Sequence, residues 1–274
     1  MRIKNDKNLM IGIWFSMITS LGTALGAPLP SVEEIVERTE LAAYYEGDDG
    51  YAQVEMTITD GQGRERVRRL TILRRDQQGK LDKVQVGEQK YYVHIELPAD
   101  LKNTVLTVWK HGQKDDDRWL YLPALDLVRR IAAGDKRTAF LGSDFFYEDI
   151  SGRSTELDHH ELIEISENYF IIKNTPKYPK SVEFSHYKMW IHKQTFIPVK
   201  VEFYDEQGDA YRMYEALEVE TIQGYPTVMK SRMQDLRDKS ETVLAFHRVQ
   251  YDMGIPDEIF NERYLHNPPN HYLH

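Results

Sequence analysis

Three clusters of side chains in this 274-residue chain have residue types that could do chemistry, and a fourth could bind anions. Asp115, Asp116 and Asp117 could offer carboxylate oxygens to a hard cation. Consecutive acids on a turn point in different directions, however, and the spaced ligands and glycine of a calcium loop are missing. His159, His160 and Glu161 have the composition of a zinc site, but ligands on a helix need a spacing of three or four, not one. Asp144, Glu148 and Asp149 lie among Phe140, Phe145, Phe146 and Tyr147 and could serve acid–base hydrolysis. The bland reading is that they pair with the arginines of a core's rim. No serine stands in a G-x-S-x-G setting, and the chain has no cysteine, so no nucleophile–base pair accompanies them. The fourth cluster is the basic run Arg64, Arg66, Arg68, Arg69, Arg74 and Arg75. In a strand, Arg64, Arg66 and Arg68 share one face, either guarding a sheet edge or docking an acidic partner or a lipid phosphate. His266, His271 and His274 lie on a proline-rich tail. The expectation is a protein that is not an enzyme and uses no metal or cofactor.

The elements that would carry these groups are mainly strands. Val54, Met56 and Ile58 alternate with polar residues before the Asp60-Gly61 turn, and Val67 to Leu73 returns along them. Further strand-like runs are Tyr91–Leu97, Val105–Trp109, Leu162–Ser166, Tyr169–Lys173, Val182–Ile191, Val199–Tyr204, Ala210–Val219, Thr227–Asp235 and Thr242–Tyr251. Around Trp119, Leu120, Tyr121 and Leu122 a strand would be apolar on both faces, hence buried on both or lining a cavity with one. Pro123 ends it. Ser31 caps a helix to Tyr44 with Glu33 and Glu34 in its first turn, and Pro256–Tyr264 reads as a final short helix. There is no βαβ alternation, linker or repeat. The expectation is one α+β domain, mainly antiparallel β, with about ten or eleven strands.

Compartment and charge narrow the class. Arg2, Lys4 and Lys7 precede an apolar stretch from Leu9 to Leu25, and Ala24 and Gly26 are small residues at the positions a signal peptidase reads. Residues 1–26 are therefore expected to be a cleaved signal peptide, because about 17 interrupted apolar residues fall short of the roughly 20 of a membrane span. Residues 27–265 are then the domain and 266–274 a disordered tail. Beyond residue 26 there are 32 basic against 43 acidic side chains, a net charge of −11. Such a chain is not a general nucleic-acid binder and should be repelled by anionic lipid surfaces. Without cysteine it has neither a lipobox nor a disulfide, so its core must suffice alone.

The stretch from Trp119 to Asp149 resembles the outer-membrane lipoprotein-sorting, LolA-like family. The string W-x-Y-x-P-A-L…R-R-I…F-x-G-S-D-F-x-Y-E-D is here Trp119, Tyr121, Pro123, Ala124, Leu125, Arg129, Arg130, Ile131, Phe140, Gly142, Ser143, Asp144, Phe145, Tyr147, Glu148 and Asp149. Similarity extends to Thr59–Arg66, Glu96–Asp100 and Lys188–Gly208. Departures are Asp126-Leu127 where relatives continue with basic residues, and His192 where an Asp is common. The resemblance implies an incomplete, half-open β-barrel covered by helices, which holds acyl chains in the periplasm. It also implies a passive carrier of a lipid or lipoprotein acyl chain, handing it between envelope partners such as an inner-membrane exporter of the resistance-nodulation-division (RND) type or an outer-membrane acceptor. With 17 Tyr, 10 Phe and 4 Trp, an aromatic wall would gain about 0.8 kcal/mol per buried methylene of such a chain. Met56, Ile58, Trp119, Tyr121, Phe140 and Phe145 are the expected wall. The competing readings are an adaptor with a solid core, docking through Arg64, Arg66 and Arg68, and a hydrolase using Asp144, Glu148 and Asp149.

Overall fold

A computed structural model describes residues 29–77, 88–112 and 114–273. The segment expected to be a signal peptide lies outside the described residues, as does His274. Thirteen antiparallel strands form one open sheet. They are β1 (Asp49–Thr59), β2 (Glu65–Asp76), β3 (Gln89–Leu97), β4 (Val105–Lys110), β5 (Asp117–Leu122), β6 (Leu127–Ile131), β7 (Asp158–Ile165), β8 (Tyr169–Pro176), β9 (His186–His192), β10 (Pro198–Tyr204), β11 (Ala210–Ile222), β12 (Tyr225–Asp235) and β13 (Ser240–Tyr251). The order is β6-β5-β4-β3-β2-β1-β13-β12-β11-β10-β9-β8-β7, so every neighbour except the β1–β13 pair is consecutive in the chain. Mainly antiparallel β was the expectation; among the described residues there are thirteen strands where about ten or eleven were expected, and twelve of them correspond to runs named from sequence. The strand with no counterpart in that reading is β6, which Asp126 in the left-handed region folds back onto β5.

The helix α1 (Val32–Tyr44) starts at Ser31, whose side chain accepts a hydrogen bond from the Glu34 amide at 3.1 Å. Its Ile35 is packed among Phe170, Ile172, Ile191 and Phe196 of the β8–β10 region. At its other end the Tyr44 carbonyl accepts from Arg74 of β2 and Gln89 of β3, each at 2.8 Å. A helix of 13 residues is about 20 Å long. Seven strand steps separate β8 from β2 along the sheet, about 34 Å if it were flat. The sheet therefore curls until α1 reaches across it. Gly152 allows the close seating of α1's end, since a Cβ there would stand 2.6 Å from Cζ of Tyr44.

Two clusters fill the β1–β5 half, one on each face. On the inner face Met56, Ile58, Leu70, Val93, Leu106 and Leu120 pack beneath Phe140, Phe145 and Tyr147, which come from the β6–β7 connection and its short helix α2 (Tyr147–Ser151). On the outer face Tyr51, Leu73, Tyr92, Val105 and Tyr121 are covered by Ile255, Ile259, Phe260, Leu265 and Leu273. Residues 266–273, part of the segment expected as a disordered tail, are thus packed against the sheet. The physical reason is that Leu273 is fully buried and His266 lies on the Tyr121 ring with centroids 4.5 Å apart. Two hydrogen bonds fix the covering segment, from the Tyr92 hydroxyl to the Tyr264 carbonyl at 2.7 Å and from Trp109 Nε1 to the Phe260 carbonyl at 3.0 Å. The helix α3 (Arg263–His266) lies within it.

Candidate ligand-binding cavity

The inner face is not filled throughout. A cavity of about 400 Å³ lies between α1 and the sheet, beyond the packed β1–β5 cluster. Val36, Ala42 and Ala43 of α1 face it on one side. Ala52 and Ile72 of β1 and β2 face it opposite Met189 and Phe203 of β9 and β10 and Leu244 and Phe246 of β13. Register explains the membership: Ala52 stands opposite both Ile72 and Val249, so small and branched side chains from three adjacent strands line one row. Tyr214 and Met233 are directly opposite on β11 and β12 and continue the wall. This volume lies in the range of about 300–1,000 Å³ typical of ligand pockets.

Charged groups at the cavity are paired with protein partners. Arg74 meets Asp76 at 2.8 Å and the Tyr44 carbonyl, besides the Glu46 and Gly47 carbonyls. Glu40 meets Lys110 at 3.5 Å and the Thr155 hydroxyl at 2.9 Å. Arg153 meets Asp158 at 2.9 Å, while Arg137 lies 2.6 Å from Glu148. Asp149 pairs with the buried Arg212. Burial pushes the Asp76 carboxyl up to about 6, against the opposing pull of Arg74 and Gln89. Burial alone would raise Glu148 as well, but Arg137, Arg153 and Lys136 outweigh it and hold that carboxyl below its ordinary value. Neutralised charges leave the apolar surface as the dominant chemistry offered to a ligand.

Of the six residues expected to form the wall, the structure brings only Phe145 to the cavity. Met56, Ile58 and Phe140 are on the inner face but inside the filled cluster, each at most 2 % exposed. Trp119 and Tyr121 are on the other face, where Trp119 packs edge-on against Trp109 at 5.1 Å under the carboxy-terminal segment. The cavity residues missed by sequence reading are mostly in β8–β13 and α1. Their signal was there as period-two alternation in β12 and β13, without aromatic density to draw notice.

The basic and acidic clusters are largely structural. Arg64 is exposed and pairs with Asp60 at 2.7 Å; Arg66 is exposed beside the Gly142 carbonyl. Arg68 is only 8 % exposed and donates twice to the Leu141 carbonyl, at 3.1 and 2.8 Å, so it is not available as a docking group. Asp115, Asp116 and Asp117 turn to Lys136, Arg118 and Arg130 respectively rather than to one point. His160 is held by Asn174 Oδ1 at 2.6 Å and the Thr155 carbonyl at 2.9 Å. Among the described residues no group of three or more His, Asp and Glu converges as a metal site.

Comparison with known proteins places this architecture. The model of a family described as uncharacterized-protein-like matches residues 87–267, and no curated protein matches the chain. A solved DUF1329 family protein from Desulfovibrio piger is 27 % identical, with a TM-score of 0.75 over 84 % of this chain and 96 % of that one. A putative outer membrane lipoprotein-sorting protein domain from Vibrio parahaemolyticus is 25 % identical, also at 0.75, over 85 % and 97 %. The chain belongs to the family whose model it matches, and it resembles the LolA-like, outer-membrane lipoprotein-sorting proteins. A LolA superfamily protein from Nitrosomonas europaea shares the fold at 19 % identity and a TM-score of 0.65, over 86 % and 100 %.

The LolA-like motif now has a physical reading. Leu141 and Gly142 both take left-handed backbone angles, making the sharp turn that Arg68 grips. The Ser143 hydroxyl donates to the Phe140 carbonyl, and the Asp144 carboxylate accepts from the Ser240 and Thr242 hydroxyls of β13. Asp149 caps α2 by accepting from the Phe146 amide at 2.6 Å. Glu148 stands between Lys136, Arg137 and Arg153. Arg130 is tied to Asp117, Arg129 stands opposite Leu120 on the inner face, and Pro123 starts the turn into β6. In this LolA-like chain the motif is a clasp that fastens the β6–β7 connection across the inner face and closes one end of the cavity.

Proposed function

We propose that this protein is a periplasmic carrier that binds the acyl chain of a lipid or lipoprotein in the inner-face cavity and passes it between envelope partners. The observation that carries the reading is the cavity of about 400 Å³, apolar in its walls and with its charges paired internally. Acyl chains need no directional bonds, only removal from water, and such a wall supplies that. A relative named for outer membrane lipoprotein sorting supports the reading. In this reading residues 1–26 are a cleaved signal peptide, the curled sheet is an incomplete barrel, and α1 covers its opening. On the same reading direction comes from partners, an inner-membrane RND-type exporter or an outer-membrane acceptor.

The test is native mass spectrometry of protein purified from periplasm without detergent, followed by displacement of a fluorescent fatty acid. Ala52→Trp, which fills the cavity row between Ile72 and Val249, is expected to lower fatty-acid affinity at least tenfold. Trp119→Asp is expected to loosen the carboxy-terminal segment and lower stability, while a folded fraction keeps its affinity. The reverse result would move the site to the outer face. If neither variant changed transport but charge reversal at Arg64 and Arg66 abolished it, the adaptor reading would replace the carrier.

A further inference from the structure

The outer face of β8–β10 carries a charge distribution opposite to that of the whole chain. Between Lys173 and Lys200 the sequence has six lysines, no arginine and one carboxylate, Glu183, in a chain of net charge −9. Glu183 is already engaged by Arg137 and the Tyr211 hydroxyl. Lys173 and Lys188 stand directly opposite each other on β8 and β9. Like charges so placed are unfavourable to each other, and each lysine has one carboxylate on its other side, Glu161 of β7 opposite Lys173 and Glu202 of β10 opposite Lys188. Aromatic rings are interleaved with these cations. Lys188 Nζ lies 4.8 Å from the Tyr204 ring and Lys200 Nζ 4.8 Å from the Trp190 ring, while His186 stacks on Tyr204 at 4.6 Å. Lys200 also meets Glu202 at 2.6 Å. Burial and the positive field of Lys173 and Lys188 hold the His186 imidazole below its ordinary value. On the connection leaving β8, Tyr178 is 67 % exposed between the exposed Lys177 and Lys180.

We propose that this face docks the protein on an anionic phospholipid surface. The lysines are distributed over the open face of a sheet, with long flexible stems that carry point charges, which suits a field of headgroup phosphates. Trp and Tyr beside them are the residues that settle at headgroup depth. Net acidity, which by itself opposes such contact, is thus overcome locally, and the surface would orient the molecule. This inference does not depend on the cavity being occupied.

The experiment is co-sedimentation of the purified protein with vesicles of equal parts phosphatidylglycerol and phosphatidylcholine, and with phosphatidylcholine alone. Binding is expected only to the anionic vesicles and should weaken as salt is raised. Lys173→Glu combined with Lys188→Glu should weaken it by roughly tenfold or more. Lys173→Gln with Lys188→Gln should give a smaller loss in the same direction, checked by circular dichroism for folding. Lys102→Glu with Arg263→Glu changes net charge equally but elsewhere, and should cost less than about threefold. Absence of binding to anionic vesicles, equal binding to phosphatidylcholine, no loss in the Lys173/Lys188 variants, or equal loss in both charge-reversed pairs would overturn the proposal.

Discussion

The two halves of the sheet are finished in different ways. In β1–β5 both faces are covered except where Ala52 and Ile72 reach the cavity, the inner by Phe140, Phe145 and Tyr147 and the outer by residues from Ile255 to Leu273. In β8–β13 the inner face borders the cavity and α1, while lysines and aromatic rings occupy the outer face of β8–β10. The family motif lies in the solid half. Its job is to hold a closed end against which a cavity can exist, because an open sheet with no stopper would have either a filled interior or a channel. Most residues recognisable from sequence therefore adjoin the cavity, and of the motif Phe145 and Asp149 line it.

The sharpest way to test that division is to remove equal kinds of bulk from each half. Phe140 is 1 % exposed within the packed cluster, so Phe140→Ala should cost about 3–5 kcal/mol in denaturant unfolding. Met189 already faces empty space on one side, and Met189→Ala should cost about 1–2 kcal/mol, having fewer contacts to lose. Fatty-acid affinity should respond in the opposite order. Equal stability losses would mean that the cavity closes in the free protein.

A second contrast is in pH. At the tether of α1 the Asp76 carboxyl has its pKa raised to about 6, so the folded state binds a proton more tightly than the unfolded chain. Stability from this group is present when it is protonated and falls as pH rises from about 4 to about 6, by on the order of 2 kcal/mol. At the clasp the Glu148 carboxyl is held below its ordinary value, so its contribution is present at neutral pH and is lost as pH falls through the folded pKa. Unfolding free energy should therefore rise on mild acidification from pH 7 to 5 and decline in stronger acid. Asp76→Asn should remove the rise and leave the decline, as measured by urea titrations across pH. A profile unchanged by Asp76→Asn would show that the tether does not titrate there.

Much of the fold was readable from period-two alternation, which located most strands and the turn at Asp60-Gly61. The strand β6 was not, since as an edge strand it exposes Leu127, Arg129 and Arg130 and leaves no alternation to detect. The wall was misread for a different reason. Alternation shows that Trp119 and Leu120 face opposite sides but cannot tell which side is inner. That choice is made by the carboxy-terminal segment, whose Phe260 and Leu273 cover the Trp119 side and leave Leu120 to the interior. A cavity is also defined by atoms that are missing, and no residue type marks their absence. The motif was legible as a pattern and only its purpose was not, because the three cations around Glu148 come from positions 136, 137 and 153 and converge only when α2 folds.

The smallest expected effect separates two arginines that alternation alone makes equivalent. Arg64, Arg66 and Arg68 share one face of β2 and its approach, yet the distance to the Leu141–Gly142 turn differs along it. Arg64 pairs with Asp60 in solvent, and exposed pairs of this kind contribute little, so Arg64→Ala should change stability by less than about 0.5 kcal/mol. Arg68 is buried and its guanidinium supplies two charge-assisted bonds to one carbonyl, so Arg68→Ala should cost about 1.5–3 kcal/mol. The loss should appear with greater protease sensitivity in residues 132–146, the connection that Arg68 holds. Arg68→Lys, which cannot donate in the same forked geometry, should recover part of the stability and not all of it. If Arg64→Ala proved the more damaging of the two, the grip of β2 on the clasp would be the wrong account of the basic run.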